Sequence, residues 1–161
     1  MHDFKRPARL IKNSLLVVLL LVAGCSSGVA THDAYRAAEL VVDFFTGLKS
    51  SEGTRLAYAW TDDKYKQEVP FEEFSRIVAF IRETNRGAEI RLVGFEVFGR
   101  RETFVVYANS KTGETEMHFK LTLAGTKNQD YYLLALDVDN SAFAKTGIYR
   151  EYPESIVIEG V

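Results

Sequence analysis

The sequence predicts an α+β fold in which N-terminal helices pack on a curved four-stranded antiparallel sheet. Apolar residues recur at three- and four-residue spacings over residues 33–86, which is the period of amphipathic helices. Over residues 90–138 the period drops to two, which is the period of half-buried strands. Helices followed by a run of strands are typical of an α+β domain. We therefore place one such domain at residues 33–138.

The helical part contains three predicted helices. The first begins after Asp33, a suitable N-cap residue, and ends among the glycines and serines near residue 50. A shorter helix covers residues 54–60, and residues 61–63 have the composition of a turn or cap. The third begins near Pro70, because proline suits a first helical position, and residues 85–87 are a plausible stop.

The strand part contains four predicted strands joined by short turns, so an antiparallel meander is the simplest topology. These strands are residues 90–97, 103–109, 115–123 and 131–138. In the first, the apolar series changes phase beside Gly94, which indicates a β-bulge that bends the strand. Residues 139–161 form a C-terminal extension. Within it, residues 156–158 are expected to add an edge strand or to pack across the sheet.

The N-terminus has the layout of a secretory signal peptide. Four basic residues precede ten uncharged, mostly apolar residues at 15–24, and the only cysteine follows at Cys25. As a helix, these ten residues cover about 15 Å of a hydrocarbon core about 30 Å thick. A short permanent transmembrane anchor is the alternative, because residues 14–31 carry no charge.

The four residues Val22, Ala23, Gly24 and Cys25 resemble the lipobox of bacterial lipoproteins, in which the lipoprotein signal peptidase cleaves before the cysteine. The resemblance implies that residues 1–24 are a lipoprotein signal peptide. It also implies that Cys25 carries a diacylglyceryl thioether and usually an acylated amine. Two or three acyl chains give stable membrane anchoring where one is marginal.

The cleaved chain would begin with the lipidated cysteine and a short tether, residues 25–32. Serine rather than aspartate follows Cys25. In the Gram-negative lipoprotein pattern, this implies an outer-membrane protein that faces the periplasm. Cleavage removes four of the 20 basic and one of the 22 acidic residues, so the net charge becomes −5. This acidic balance gives no reason to expect nucleic-acid binding.

The segment of residues 53–74 is similar to the helix-turn-helix of small bacterial lipoproteins with NTF2-like domains. Ala57, Tyr58, Tyr65 and the Phe-Glu-Glu-Phe run at 71–74 carry the match. The whole pattern resembles the NTF2-like, or cystatin-like, cone, in which a curved sheet wraps the helices. The resemblance implies that an enzyme of this kind would use the cone interior as a pocket, and that dimers through the sheet are common.

No catalytic residue is predicted, because the inner face of the third strand carries only apolar side chains. His118 and Asp137 lie on the opposite face and form a weak candidate polar pair. A solvated charge cluster on an exposed or dimer-forming face is the favoured interpretation, because neither residue is embedded in an apolar pocket. The acid pairs Asp62-Asp63 and Asp137-x-Asp139 lack an EF-hand ligand series. Neither a metal nor a cofactor is predicted, and one cysteine excludes a multi-cysteine zinc site.

The aromatic residues divide into a predicted core set and a half-exposed set. The core set is Phe44, Phe45, Trp60, Phe71, Phe74, Phe80, Phe95 and Phe119. The half-exposed set is Tyr107, Tyr131, Tyr149 and Tyr152. The second strand is apolar on both faces, which is typical of a sheet covered twice. A second copy, the C-terminal tail or a partner protein would supply the outer cover.

These features favour a non-enzymatic envelope lipoprotein, whose domain is a binding or assembly module anchored to membrane lipid through Cys25. A small-molecule-binding protein or enzyme that uses the cone cavity is the second hypothesis. A protective lipoprotein, which blocks a toxin or a phage, is the third.

Overall fold

The computed structural model describes residues 32–98 and 102–161 and confirms the α+β class. Four helices precede five strands in this part of the chain. The helices are α1 (Ala34–Gly47), α2 (Ser51–Ala59), α3 (Asp63–Glu68) and α4 (Phe71–Asn85). The strands are β1 (Ile90–Val97), β2 (Thr103–Thr112), β3 (Thr115–Ala124), β4 (Tyr132–Asp139) and β5 (Ile148–Ile158).

All five strands form one antiparallel sheet in the order β4-β3-β2-β1-β5. The prediction of four strands was wrong, because β5 pairs along β1 at one edge of the sheet. Most side chains of β5 are exposed and Pro153 interrupts it, so it shows little of the alternation that reveals a half-buried strand. The predicted bulge at Gly94 is confirmed by a register shift between Leu92 and Gly94.

Local cap chemistry explains where the helices begin and end. The Asp33 carboxylate accepts hydrogen bonds from the N–H groups of Tyr35 and Arg36, as an N-cap should. Asp62 caps α3 in the same way, so the predicted turn at 61–63 leads into a short helix that was not predicted. Helix α4 ends at Arg86, which adopts the left-handed conformation of a C-cap.

The core lies between the helices and the inner face of the sheet. Phe45 of α1 packs edge-to-face on Phe119 of β3, with 5.1 Å between the ring centres. At the end of α4, the buried Asn85 side chain accepts a hydrogen bond from the Ser110 hydroxyl and donates to the carbonyl of Ala88. The bond to Ser110 fixes the end of α4 against the inner face of β2.

Two groups of aromatic residues differ from the prediction. Phe80 is 56% exposed, because it lies on the solvent side of α4, away from the buried stripe of Phe74, Val78 and Ile81. Tyr107, Tyr131 and Tyr152 are buried rather than half-exposed, and only Tyr149 is partly exposed. The burial of Tyr107 has a cause on the outer face of the sheet, described below.

Candidate functional site

The space between the helices and the inner sheet face, where a cone pocket would lie, is filled by side chains. A gap there is lined by Leu40, Val41, Phe44, Trp60, Leu121, Leu123 and Leu133, and it is too small to admit a water molecule. No buried side-chain nitrogen or oxygen in the described residues lacks a hydrogen-bond partner. The interior of the described domain therefore offers neither space nor an unused polar group to a substrate.

His118 and Asp137 lie on the outer face, but the register places them diagonally. His118 is opposite Asp139, and Lys120 is opposite Asp137. The closest carboxylate oxygen to the His118 ring belongs to Glu116, 3.7 Å from Nε2, and Asp137 instead pairs with the Lys120 ammonium at 3.4 Å. Both contacts are partly exposed to solvent, and such pairs contribute little. This arrangement is a surface charge cluster across β3 and β4.

The outer face is crossed by the connection between β4 and β5, which we call the crossing segment (residues 140–147). β4 and β5 are the two edges of the sheet, so four strand spacings, about 19 Å, separate them. Eight residues reach about 27 Å when extended, which is enough to cross. The ring of Phe143 lies 5.9 Å from the Lys120 ammonium on β3, and that of Tyr107 on β2 lies 4.4 Å from the ammonium of Lys145.

A buried carboxylate holds the end of the crossing segment. Glu96 of β1 points to the outer face and is only 1% exposed. Its Oε1 accepts the backbone N–H groups of Thr146 and Gly147, and its Oε2 accepts the Tyr107 hydroxyl at 2.5 Å. A side chain does not fit at Gly147, because its Cβ would lie 2.7 Å from the Val97 carbonyl oxygen. We call Glu96, Tyr107, Thr146 and Gly147 the Glu96 cluster.

The environment of the Glu96 cluster keeps its tyrosine protonated. Burial, followed by the hydrogen bond to Glu96, raises the pKa of Tyr107 well above its ordinary value. The hydroxyl therefore remains a donor to Glu96 at every physiological pH. The ammonium of Lys145 lies over both Tyr107 and Tyr149, in the geometry of a cation–π contact. Three donors of the chain itself hold the Glu96 carboxylate, so the cluster ties the crossing segment to β1 and β2.

Sequence analysis missed the Glu96 cluster, although one signal was present. Glu96 stands between Phe95 and Val97, in a strand that is otherwise largely apolar. A charged residue in such a strand needs partners if it is buried. Those partners come from residues 107, 146 and 147, and no spacing in the sequence connects them to β1. The outer cover, left open between three candidates, is supplied in part by the chain itself.

Grooves of several hundred Å³ lie on the described surface. One, of about 650 Å³, adjoins the outer face beside Arg91, Asn109 and Lys111 and has mixed charge. A second, of about 410 Å³, lies beside the exposed Phe80. A third, of about 370 Å³, lies between α1 and β5. Each of these grooves is open to solvent.

The predicted membrane anchor precedes the described domain in the sequence. Val22, Ala23, Gly24 and Cys25 fall outside the described residues. His32, assigned above to the tether, is instead buried, with its ring 5.3 Å from that of Phe104. The Tyr131 hydroxyl accepts the Asp33 N–H at 2.9 Å, which fixes the chain where it enters the domain. His32 therefore packs with the folded part of the chain.

Comparisons with known proteins give no further assignment. No protein-family model, no curated protein and no solved structure matches the chain. Over residues 32–98 and 102–161, no helix has the length and apolar character needed to span a bilayer. In the same residues, no three His, Cys, Asp or Glu side chains are grouped to hold a metal ion.

Proposed function

We propose that this chain is a lipid-anchored cell-envelope protein whose domain binds or assembles with a partner. The anchor rests on the sequence: a basic leader, an apolar run and small residues all precede Cys25, the only cysteine. The proposed location is the outer membrane, with the domain facing the periplasm, since Ser26 follows Cys25.

The observation that supports the binding role is that side chains fill the space between the helices and the sheet. A ligand-binding pocket usually encloses several hundred Å³ with a few convergent polar groups. Here the gap behind β3 and β4 is apolar and excludes water. A function of the described domain is therefore exerted at its surface. This supports a binding or assembly module of the NTF2-like or cystatin-like kind over an enzyme that uses the cone cavity.

The proposed anchor would hold this surface close to the bilayer. Seven peptide units separate Cys25 from the buried His32, so the domain begins within about 25 Å of the acylated sulfur. A partner that approaches the outer sheet face, the surface predicted for a second copy or another protein, would meet the crossing segment first. Partner binding there involves residues 140–147 as well as the strands.

Replacement of the proposed lipid acceptor tests the anchor. We expect the Cys25→Ala variant to leave the membrane fraction, with Ser26→Ala as the matched control that stays bound. Mass spectrometry of the wild-type protein should find a chain that begins at an acylated Cys25. A Cys25→Ala variant that stays membrane-bound, or a wild-type protein with an uncleaved leader and a free thiol, would support a transmembrane anchor. Either result would refute the proposed lipidation of Cys25.

A further inference from the structure

One edge of the sheet is open in the described structure. β5 pairs with β1 on one side, and no described strand pairs with its other side. At the opposite edge, β4 is partly covered, since Thr61 forms a bridge with Leu133. An uncovered edge presents unpaired N–H and C=O groups that an extended chain is able to bind.

The groove between α1 and β5 runs beside this open edge. Its apolar lining is Tyr35, Ala38 and Val42 from α1 and Ile156 from β5. The Tyr35 side chain is 50% exposed, although it is aromatic and lies beside Tyr152, with ring centres 6.4 Å apart. A strand added to β5 would direct alternate side chains into this groove, because side chains alternate between the two faces of a sheet.

Acidic side chains surround the groove and the edge. Glu39 and Asp43, one turn apart on α1, line the groove and are exposed. β5 and the residue after it add the exposed acids Glu151, Glu154 and Glu159, against the single base Arg150. Among the described residues, none of these five carboxylates forms an ion pair within 4 Å. This charge is complementary to a basic partner.

We propose that the open edge of β5 and the groove beside α1 bind an extended peptide segment of a partner protein, with apolar residues at alternate positions and flanking Lys or Arg. The peptide pairs with residues 154–158, about 17 Å of strand, since Pro153 has no N–H to offer. This inference deepens the proposed binding function and rests on it.

Charge favours a peptide of another protein over a second copy of this chain. Antiparallel pairing of two β5 strands would bring two sets of exposed acids, including Glu151, Glu154 and Glu159, into one interface. Like charges on paired strands are destabilising. The acids of α1, Glu39 and Asp43, would add to this repulsion. A basic peptide neutralises the same groups.

The test uses the full chain in detergent micelles and a fluorescently labelled synthetic peptide, acetyl-Lys-Val-Thr-Val-Thr-Val-Lys-amide, followed by fluorescence anisotropy. We expect saturable binding at low salt. Two altered peptides should each bind at least about tenfold more weakly. One has glutamate in place of both lysines. The other is N-methylated at alternate residues, so that it loses donors to the strand edge.

Charge reversal on the protein gives the complementary result. The double variant Glu39→Lys/Asp43→Lys should weaken binding of the lysine peptide about tenfold and favour the glutamate peptide instead. Glu83→Lys, an exposed site on α4, is the matched control and should leave both affinities unchanged. Normal thermal unfolding of each variant shows that the change is local to the groove.

Four outcomes would overturn the proposal. These are no saturable binding, equal binding of the lysine and glutamate peptides, equal binding of the N-methylated peptide, or no effect of Glu39→Lys/Asp43→Lys. Concentration-dependent dimers abolished by Val157→Glu would assign the edge to a second copy. A photoreactive residue placed at Phe80 or at Tyr35 separates this proposal from the binding function. Capture of a partner at Phe80 and of none at Tyr35 would refute binding at the groove and leave the binding function intact.

Discussion

Replacing Glu96 with alanine removes the acceptor shared by three donors on the outer sheet face. The donors are the Tyr107 hydroxyl and the backbone N–H groups of Thr146 and Gly147. Tyr107 is 2% exposed, so its hydroxyl has little access to water once the carboxylate is gone. The crossing segment loses its attachment to β1, and we expect it to detach from that part of the sheet.

The size of the effect follows from the burial of each donor. A hydrogen bond to a charged group contributes about 1.5–3 kcal/mol, and a buried donor left without a partner costs about 1–3 kcal/mol. The N–H groups of Thr146 and Gly147 lie in an exposed segment and regain water, so their loss is partly offset. We therefore expect Glu96→Ala to lower the free energy of unfolding by about 3–5 kcal/mol, near the cost of breaking a buried charged network.

Glu96→Gln separates the charge of the carboxylate from its shape. The amide oxygen still accepts the two backbone N–H groups, and the amide N–H₂ is able to donate to the Tyr107 oxygen. The charge assistance is lost and the Tyr107 hydroxyl gives up its acceptor, so we expect a decrease of about 1–3 kcal/mol, smaller than that of Glu96→Ala. The free energy of unfolding should therefore decrease in the order wild type, Glu96→Gln, Glu96→Ala. This order indicates a hydrogen-bonded acceptor rather than a space-filling side chain.

Urea unfolding followed by the fluorescence of Trp60, the single tryptophan, measures these differences. Hydrogen exchange at the amides of Thr146 and Gly147 shows whether the crossing segment is released. Glu102→Ala, at an exposed position, is the control and should stay within about 0.5 kcal/mol of wild type. A Glu96→Ala protein that matches this control and keeps its amide protection would refute the reasoning.

Two further predictions concern backbone packing and alkaline pH. Gly94→Ala should lower the free energy of unfolding, measured in urea, by about 1–3 kcal/mol. The reason is that the new Cβ would contact the Tyr149 hydroxyl and lie 2.6 Å from the Arg150 carbonyl oxygen. A Gly94→Ala protein as stable as the wild type would disprove this close packing. Burial, then the charges of Tyr58 and Asp137, raises the pKa of Tyr65 to about 12. In the unfolded chain, the Tyr65 hydroxyl loses its proton near pH 10. The free energy of unfolding should therefore fall as pH rises from about 10 to 12. This fall should be less steep in the Tyr65→Phe variant, which lacks the hydroxyl. An equal dependence of stability on pH in the wild type and in Tyr65→Phe would contradict this prediction.

Much of the fold was predictable because it depends on residues close together in the chain. Asp33 caps α1 through N–H groups two and three residues away. The bulge at Gly94 shows as a change of phase in the apolar pattern of one strand. The alternation of β3 places Met117 and Phe119 in the core, and Glu116 and His118 on the other face. Each signal is complete within a few residues, so no knowledge of the distant chain is needed.

The sequence by itself predicted three of the four described helices, four of the strands and the apolar character of the inner sheet face. Lipidation of Cys25 stays a prediction from the sequence. Only the tertiary structure decided that residues 148–158 form an edge strand, that residues 140–147 cross the outer face, and that Glu96 holds them there. These features depend on contacts between groups far apart in the chain, such as the bond from the Gly147 N–H to Glu96, 51 positions away. A carboxylate is buried or exposed according to which distant donors the fold brings to it, and no local pattern of residues encodes those partners.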